Sequence, residues 1–183
     1  MTSALLSADT SALLVIDLQA RLLPAIHGGA RVLANSIWLV QVARRLGVPV
    51  LCSEQYPQGL GPCAPELAAV LPEDAVRTKQ HFSCVAEGCF EDHPAWRRPQ
   101  LVVCGTEAHV CVLQSVLDLR ARGTQVFVAA DAVGSRRPSD RALALARMRC
   151  HGVEVVSREM VAFEWLHRAG TDVFREVSRG FIR

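Results

Sequence analysis

The sequence has no uninterrupted apolar stretch of the ~18–20 residues that a membrane-spanning helix needs. No membrane role is therefore expected. It has no excess of charge of one sign either: 20 Lys and Arg against 18 Asp and Glu leave a formal net charge of +2. The basic residues are scattered, and the Arg136-Arg137 pair is too short to form a tract. Nucleic acid is accordingly not an expected partner. The stretch Met1 to Asp9 lacks a basic segment followed by a long apolar run, so no secretory leader is expected. There is no CxxC pair among the seven cysteines, Cys52, Cys63, Cys84, Cys89, Cys104, Cys111 and Cys150. An odd, dispersed set reads as reduced thiols in a reducing compartment, hence a cytoplasmic protein. Cys84 and Cys89 lie near His81 and His93, but their spacing matches no zinc module, so no metal site is expected. A GxGxxG turn is missing after the first apolar run, where Asp17-Leu18-Gln19-Ala20 stands instead. A phosphate-binding P-loop and a GxSxG elbow are missing too. These absences exclude the common nucleotide-cofactor and serine-hydrolase designs, and no cofactor is expected.

What is present is a chain of 183 residues, half of them hydrophobic and 21% charged. That balance suits one folded domain over 1–183 with a substantial core. Ala12 to Ile16 is a continuous apolar run, the pattern of a strand buried on both faces. Further strands are predicted at 48–52, 75–78, 101–104 (broken by Gly105), 125–130 and 153–156. Between them lie helical patterns. Leu33, Ile37 and Val40 recur at helical spacing within 30–46, and Gly47 ends that run. A helix over 110–122 carries Leu113, Val116 and Leu117 on one face, with an Asp118–Arg122 pair on the other. Helices are also predicted at 140–150, 159–167 and 171–178. Strand and helix in alternation predict an α/β fold: three layers, αβα and Rossmann-like, around a six-stranded parallel sheet. Residues 53–72 hold three prolines and two glycines before Pro72 and read as a long, functional loop.

In such sheets ligands bind beyond the carboxyl ends of the strands. The polar residues placed there are Asp17, Ser53 and Glu54, Lys79, the segment Gly105 to Cys111, and Asp131. Asp17 alone could cap a turn, and Lys79 alone could be a solvated charge. Cys111 carries the stronger signal, because a cysteine in the first turn of a helix gains thiolate character from the helix field. A buried structural cysteine is the competing reading. Cys52 and Cys104 lie inside apolar runs and read as inert core. His109 reads as a wall or surface residue.

These residues sit in a recognisable set of motifs: LLVIDLQ around Asp17, Lys79 followed by Phe82-Ser83, VVCGTEAHVCV over 102–112, and DAVGSR over 131–136. With SEQYPQGLG over 53–61, the chain resembles the isochorismatase-like cysteine hydrolases, and most nearly the isochorismatase domain-containing proteins. The resemblance implies strand order 3-2-1-4-5-6, with Lys79 reaching inward from a strand not adjacent to the first. It implies Cys111 as nucleophile, Asp17 as the proton-transferring group and Lys79 as the cation beside both. It implies a cis peptide between Thr106 and Glu107, with the amides of Glu107 and Cys111 forming an oxyanion hole. Gln19, Tyr56, Phe82 and Thr106 become candidates for substrate binding, and a homo-oligomer is expected. Two departures narrow the chemistry. Nicotinamidases of the superfamily hold a metal through an Asp-x-His site after the second strand, where this chain has Ser53-Glu54-Gln55-Tyr56. Isochorismatases proper act on a vinyl ether and some lack the cysteine, so Cys111 favours a small amide, ureido or ester substrate. The rival readings are a thiol redox or sensor protein and a non-catalytic interaction protein on the same fold.

Overall fold

A computed structural model describes residues 5–182. Met1 to Ala4, where the stretch read for a leader begins, and Arg183 lie outside the described residues. Six strands form the sheet: β1 (Ser11–Ile16), β2 (Val50–Gln55), β3 (Val76–Lys79), β4 (Gln100–Thr106), β5 (Gln125–Gly134) and β6 (Glu154–Val156). All neighbouring pairs are parallel, in the order β3-β2-β1-β4-β5-β6. The helices are α1 (Gly29–Arg45), α2 (Pro57–Leu60), α3 (Pro65–Ala68), α4 (Cys84–Glu87), α5 (Leu113–Ala121), α6 (Pro138–Cys150), α7 (Arg158–Leu166) and α8 (Asp172–Val177).

The central strand explains the two-sided core. In β1, Leu13 and Val15 point to one face and Ala12, Leu14 and Ile16 to the other, all fully buried. The first pair joins Leu39, Val40 and Ala43 of α1 and Trp165 of α7. The second set joins Phe90, Val116 of α5 and Met148 of α6. Burying each large side chain contributes about 1.5–3 kcal/mol.

Several elements differ from the sequence expectation, each for a local reason. β2 runs three residues further than predicted, through Ser53, Glu54 and Gln55, because their side chains bond within the protein instead of facing water. Gly105 does not end β4. The strand passes through it to Thr106, with Gly105 at φ +127. A Cβ at Gly105 would stand 2.0 Å from Ile16 O, so only glycine lets β4 approach β1 this closely. β5 extends to Gly134 and bulges: between the pairs Val103↔Val128 and Gly105↔Val133, two steps on β4 match five on β5. Asp131 therefore lies within β5, not after it. The long loop is partly helical, since Pro57 and Pro65 each start a single turn. The predicted Asp118–Arg122 pair is absent. Asp118 accepts the hydroxyl of Ser83, the N-cap of α4, while Arg122 pairs with Glu91.

Candidate active site

Asp17 leaves β1 in the left-handed region, φ +51, a conformation that aspartate tolerates better than most residues. Its backbone is fixed on both sides, with its N–H donating to Ser53 O (3.1 Å) and its carbonyl accepting Thr106 Oγ (2.6 Å). Its carboxylate accepts Ser53 Oγ at Oδ1 (2.7 Å) and Lys79 Nζ at Oδ2 (2.8 Å). Lys79 closes β3, two strands away, and its side chain crosses the end of β2 to make this bond. Its ammonium also donates to Gln55 Oε1 (2.6 Å) and Phe82 O (3.0 Å), which uses all three donors. Both side chains of the ion pair are fully buried. Gln55 is the link to the cysteine: Cys111 Sγ lies 3.9 Å from its Oε1.

Cys111 does not sit in the first turn of an α-helix. It lies in a wide π-helical turn, Ala108–Val112, that precedes α5. Nor is its thiol acidified. Burial and the Asp17 carboxylate push its pKa well above the ordinary cysteine value, outweighing the pull of Lys79. Asp17 is itself raised, by burial, against the opposing effects of Lys79, Ser53 and Cys111. For Lys79, burial works to lower the pKa, but the charges of Asp17 and the sulfur of Cys111 prevail and raise it. The resting arrangement is thus a neutral thiol beside a carboxylate–ammonium pair, with three coupled titrations. The Thr106–Glu107 peptide bond is cis.

Asp17, Gln55 and Cys111 form the floor of a cavity of about 240 Å³. Leu22, Leu60, Phe82 and Val110 wall it with apolar surface, and Glu107 and Arg136 close its rim. Arg136 Nε donates to Glu107 Oε1 at 2.5 Å. Of the substrate-binding candidates, only Phe82 lines this cavity. Tyr56 is about half exposed and starts α2 from a left-handed conformation. Gln19 is fully buried and ties the loop down, donating to Gln55 O and Gly61 O and accepting Gln55 N. Thr106 orients Asp17. His109 faces Ser135, its Nδ1 3.0 Å from the Oγ. Cys52 and Cys104 are fully buried, and burial lifts Cys104 to about 12.

Gln55, Leu22, Leu60, Val110 and Arg136 are the site residues that sequence reasoning missed. Gln55 carried a findable signal, because it follows Ser53 and Glu54 at the carboxyl end of the second strand, where ligands bind. Larger hollows exist, such as one of about 380 Å³ bounded by Leu23, Leu33 and Ala64, but it contains no nucleophile. Among the described residues, no group of three or more His, Cys, Asp and Glu could hold a metal ion.

A doubly wound parallel sheet with a thiol, a carboxylate and an ammonium gathered at its carboxyl edge defines an α/β fold with a polar-floored pocket at its strand ends. Comparison with known proteins agrees with that fold class. The Isochorismatase domain family matches residues 11–160, and the chain belongs to this family of hydrolases. Isochorismatase domain-containing protein 2 of Danio rerio is 37% identical over 177 residues, covering 95% of this chain and 88% of that protein. Among solved structures, the MAR1 ribonuclease of Caenorhabditis elegans superposes with a TM-score of 0.92 at 33% identity, covering 98% of this chain and 93% of that one. YcaC of Pseudomonas aeruginosa, solved with hexane-2,5-diol and covalent acrylamide, has a TM-score of 0.90 at 25% identity over 100% and 94% of the two chains.

Proposed function

We propose that this chain is a cysteine hydrolase that cleaves a small amide, ureide or ester through a covalent acyl-enzyme. The observation that carries the reading is that Cys111 and Asp17 line one cavity, with the fully buried Lys79 ion-paired to Asp17. Cys111 Sγ adds to the substrate carbonyl carbon as its proton passes to the Asp17 carboxylate. Lys79 stabilises the sulfur's developing negative charge and keeps Asp17 in place. The amides of Glu107 and Cys111 receive the oxyanion. The C–N or C–O bond then breaks, and Asp17 returns the proton to the leaving group. Water attacks the thioester, Asp17 takes a proton from it, and the acid leaves as the thiol re-forms. The four apolar walls favour a substrate with a compact, partly apolar acyl group.

Acrylamide, bound covalently in the Pseudomonas relative, is itself an amide-bearing electrophile. The worm relative is named a ribonuclease. RNA recognition calls for a row of phosphate-neutralising cations, and this cavity presents one guanidinium, Arg136. Leu143 on α6 and Met160 and Phe163 on α7 are exposed apolar side chains that support a homo-oligomer, which the mass in solution checks.

The test is a panel of small amides, ureides and esters, with mass spectrometry of the intact protein. The wild type turns over one class and carries its acyl group on Cys111, while Cys111→Ser loses turnover. Turnover surviving in Cys111→Ser would overturn the reading. The pH profile follows from the signs of the shifts. Asp17 must be ionised to accept the thiol proton, so activity falls as pH drops through its raised pKa, above the usual aspartate range. Lys79 stays charged past its ordinary pKa, so its loss does not limit the neutral range. An acid limb at or below the usual aspartate value would remove Asp17 from that role.

A further inference from the structure

A second hollow, of about 380 Å³, opens at the same end of the sheet. His27 and Arg31 stand on one side, Asp131 of β5 and Ser135 just after it on another, and Arg141 of α6 on a third. Its charges do not cancel. Asp131 is the one carboxylate in the lining and is already partnered: Oδ1 accepts Arg158 N at 2.9 Å, and Oδ2 lies 3.7 Å from Arg158 Nε. Arg141 spends Nε on Val133 O (3.0 Å) and one terminal nitrogen on Ala130 O, which pins the β5 bulge. Those acceptors are neutral carbonyls. Among the described residues neither Arg141 nor Arg31 has a carboxylate within ion-pair distance, and Arg31 makes no side-chain hydrogen bond.

Two guanidinium groups facing one concave space, without a counter-charge, form the complement of a compact anion. Position adds to this. Ser135 lines the hollow, and its Oγ lies 3.0 Å from His109 Nδ1, which is 3.4 Å from Glu107 Oε2. Glu107 and the next residue after Ser135, Arg136, form the rim of the Cys111 cavity. One short polar chain therefore joins the two spaces.

We propose that this hollow binds a compact oxyanion, a phosphate, sulfate or carboxylate group, and that Arg31 and Arg141 are its recognition residues. The probe is inorganic phosphate, titrated by calorimetry at constant ionic strength. Wild type binds it saturably at one site per chain. Arg31→Gln weakens binding by about tenfold, the effect of one charge-assisted hydrogen bond. Arg136→Gln, at the other cavity, leaves binding unchanged. Arg141→Gln also releases β5, so if it fails to fold the exposed Arg31→Gln decides. No saturable binding, or binding lost with Arg136 and kept without Arg31, overturns the proposal. Where the anion comes from is read separately and rests on the hydrolase reading. If it is an arm of the substrate, phosphate raises KM and leaves kcat alone. If it is a separate effector, phosphate leaves KM alone and moves kcat. The binding titration stands in either case, and it stands even if hydrolysis fails.

Discussion

Asp17→Asn lowers kcat/KM by ~10²–10⁴-fold, the usual contribution of a positioned proton acceptor. The amide oxygen can still accept from Lys79, while the NH2 group takes the other position and donates to Ser53 Oγ as that hydroxyl turns, so the site keeps its shape. It has no pKa with which to take the thiol proton, and the Cys111 thiol starts from a raised pKa that makes unassisted ionisation rare. The substitution also leaves the Lys79 ammonium buried without its counter-charge. Removing one partner of a buried pair costs about 3–5 kcal/mol, and an isosteric acceptor should recover part of that. Thermal melting together with steady-state kinetics separates the two effects. A stable variant with wild-type kcat/KM would strike Asp17 from the mechanism. An unfolded variant would move the argument to the pH profile, which reads the same group without replacing it.

Gly105→Ala is the substitution with the largest expected effect on stability. The added methyl would meet Ile16 O at 2.0 Å and Ile16 C and N at 2.7 Å. These are backbone atoms of the central strand, one residue before Asp17, and no rotamer change relieves the clash. The φ of +127 adds its own strain for any side chain. A loss of about 4 kcal/mol or more is expected, at the upper end for point changes. At roughly 2–4 °C per kcal/mol for a domain of this size, the melting temperature falls by roughly 8–16 °C. Calorimetry checks it, and a fall of only a degree or two would mean that β1 and β4 can separate without cost.

The centre of the sheet was legible in the sequence because β1, β2 and β4 are buried on both faces, while the edge strands β3 and β6 are partly exposed. Ala12 to Ile16 reads as an apolar run for that reason, and the helices show their own period. The strand ends were not legible, because the site lies there. Ser53, Glu54 and Gln55 break the apolar pattern while remaining in β2, since their polar atoms are satisfied by Asp17, Cys63 and Gln19 across the fold. Gln55 carries no apolar signal on that account, although it touches both Lys79 and Cys111. Asp17, Lys79 and Cys111 stood out as strand-end polar residues, but their protonation did not follow from sequence. The helix-terminus argument predicts an acidified thiol. In the fold, desolvation and the nearby Asp17 carboxylate outweigh it. The π-helical turn that holds Cys111 leaves no trace in a pattern of apolar residues. The Asp118–Arg122 spacing was ideal for a pair, yet Ser83 from another element competed for the carboxylate and won.

The reach of Lys79 across β2 has a consequence for how the chain matures. Asp17 and Lys79 lie 62 residues apart in sequence, and every neighbouring pair in an all-parallel sheet must wait for a crossover segment to swing back. Contacts so distant form late, after local helices have appeared. Helical content regained during refolding would then run ahead of catalytic competence. A chain stalled before β3 docks against β2 would already have its thiol and its carboxylate, but no ammonium to hold them in register. Such an intermediate would look mostly assembled to circular dichroism and be silent in an assay.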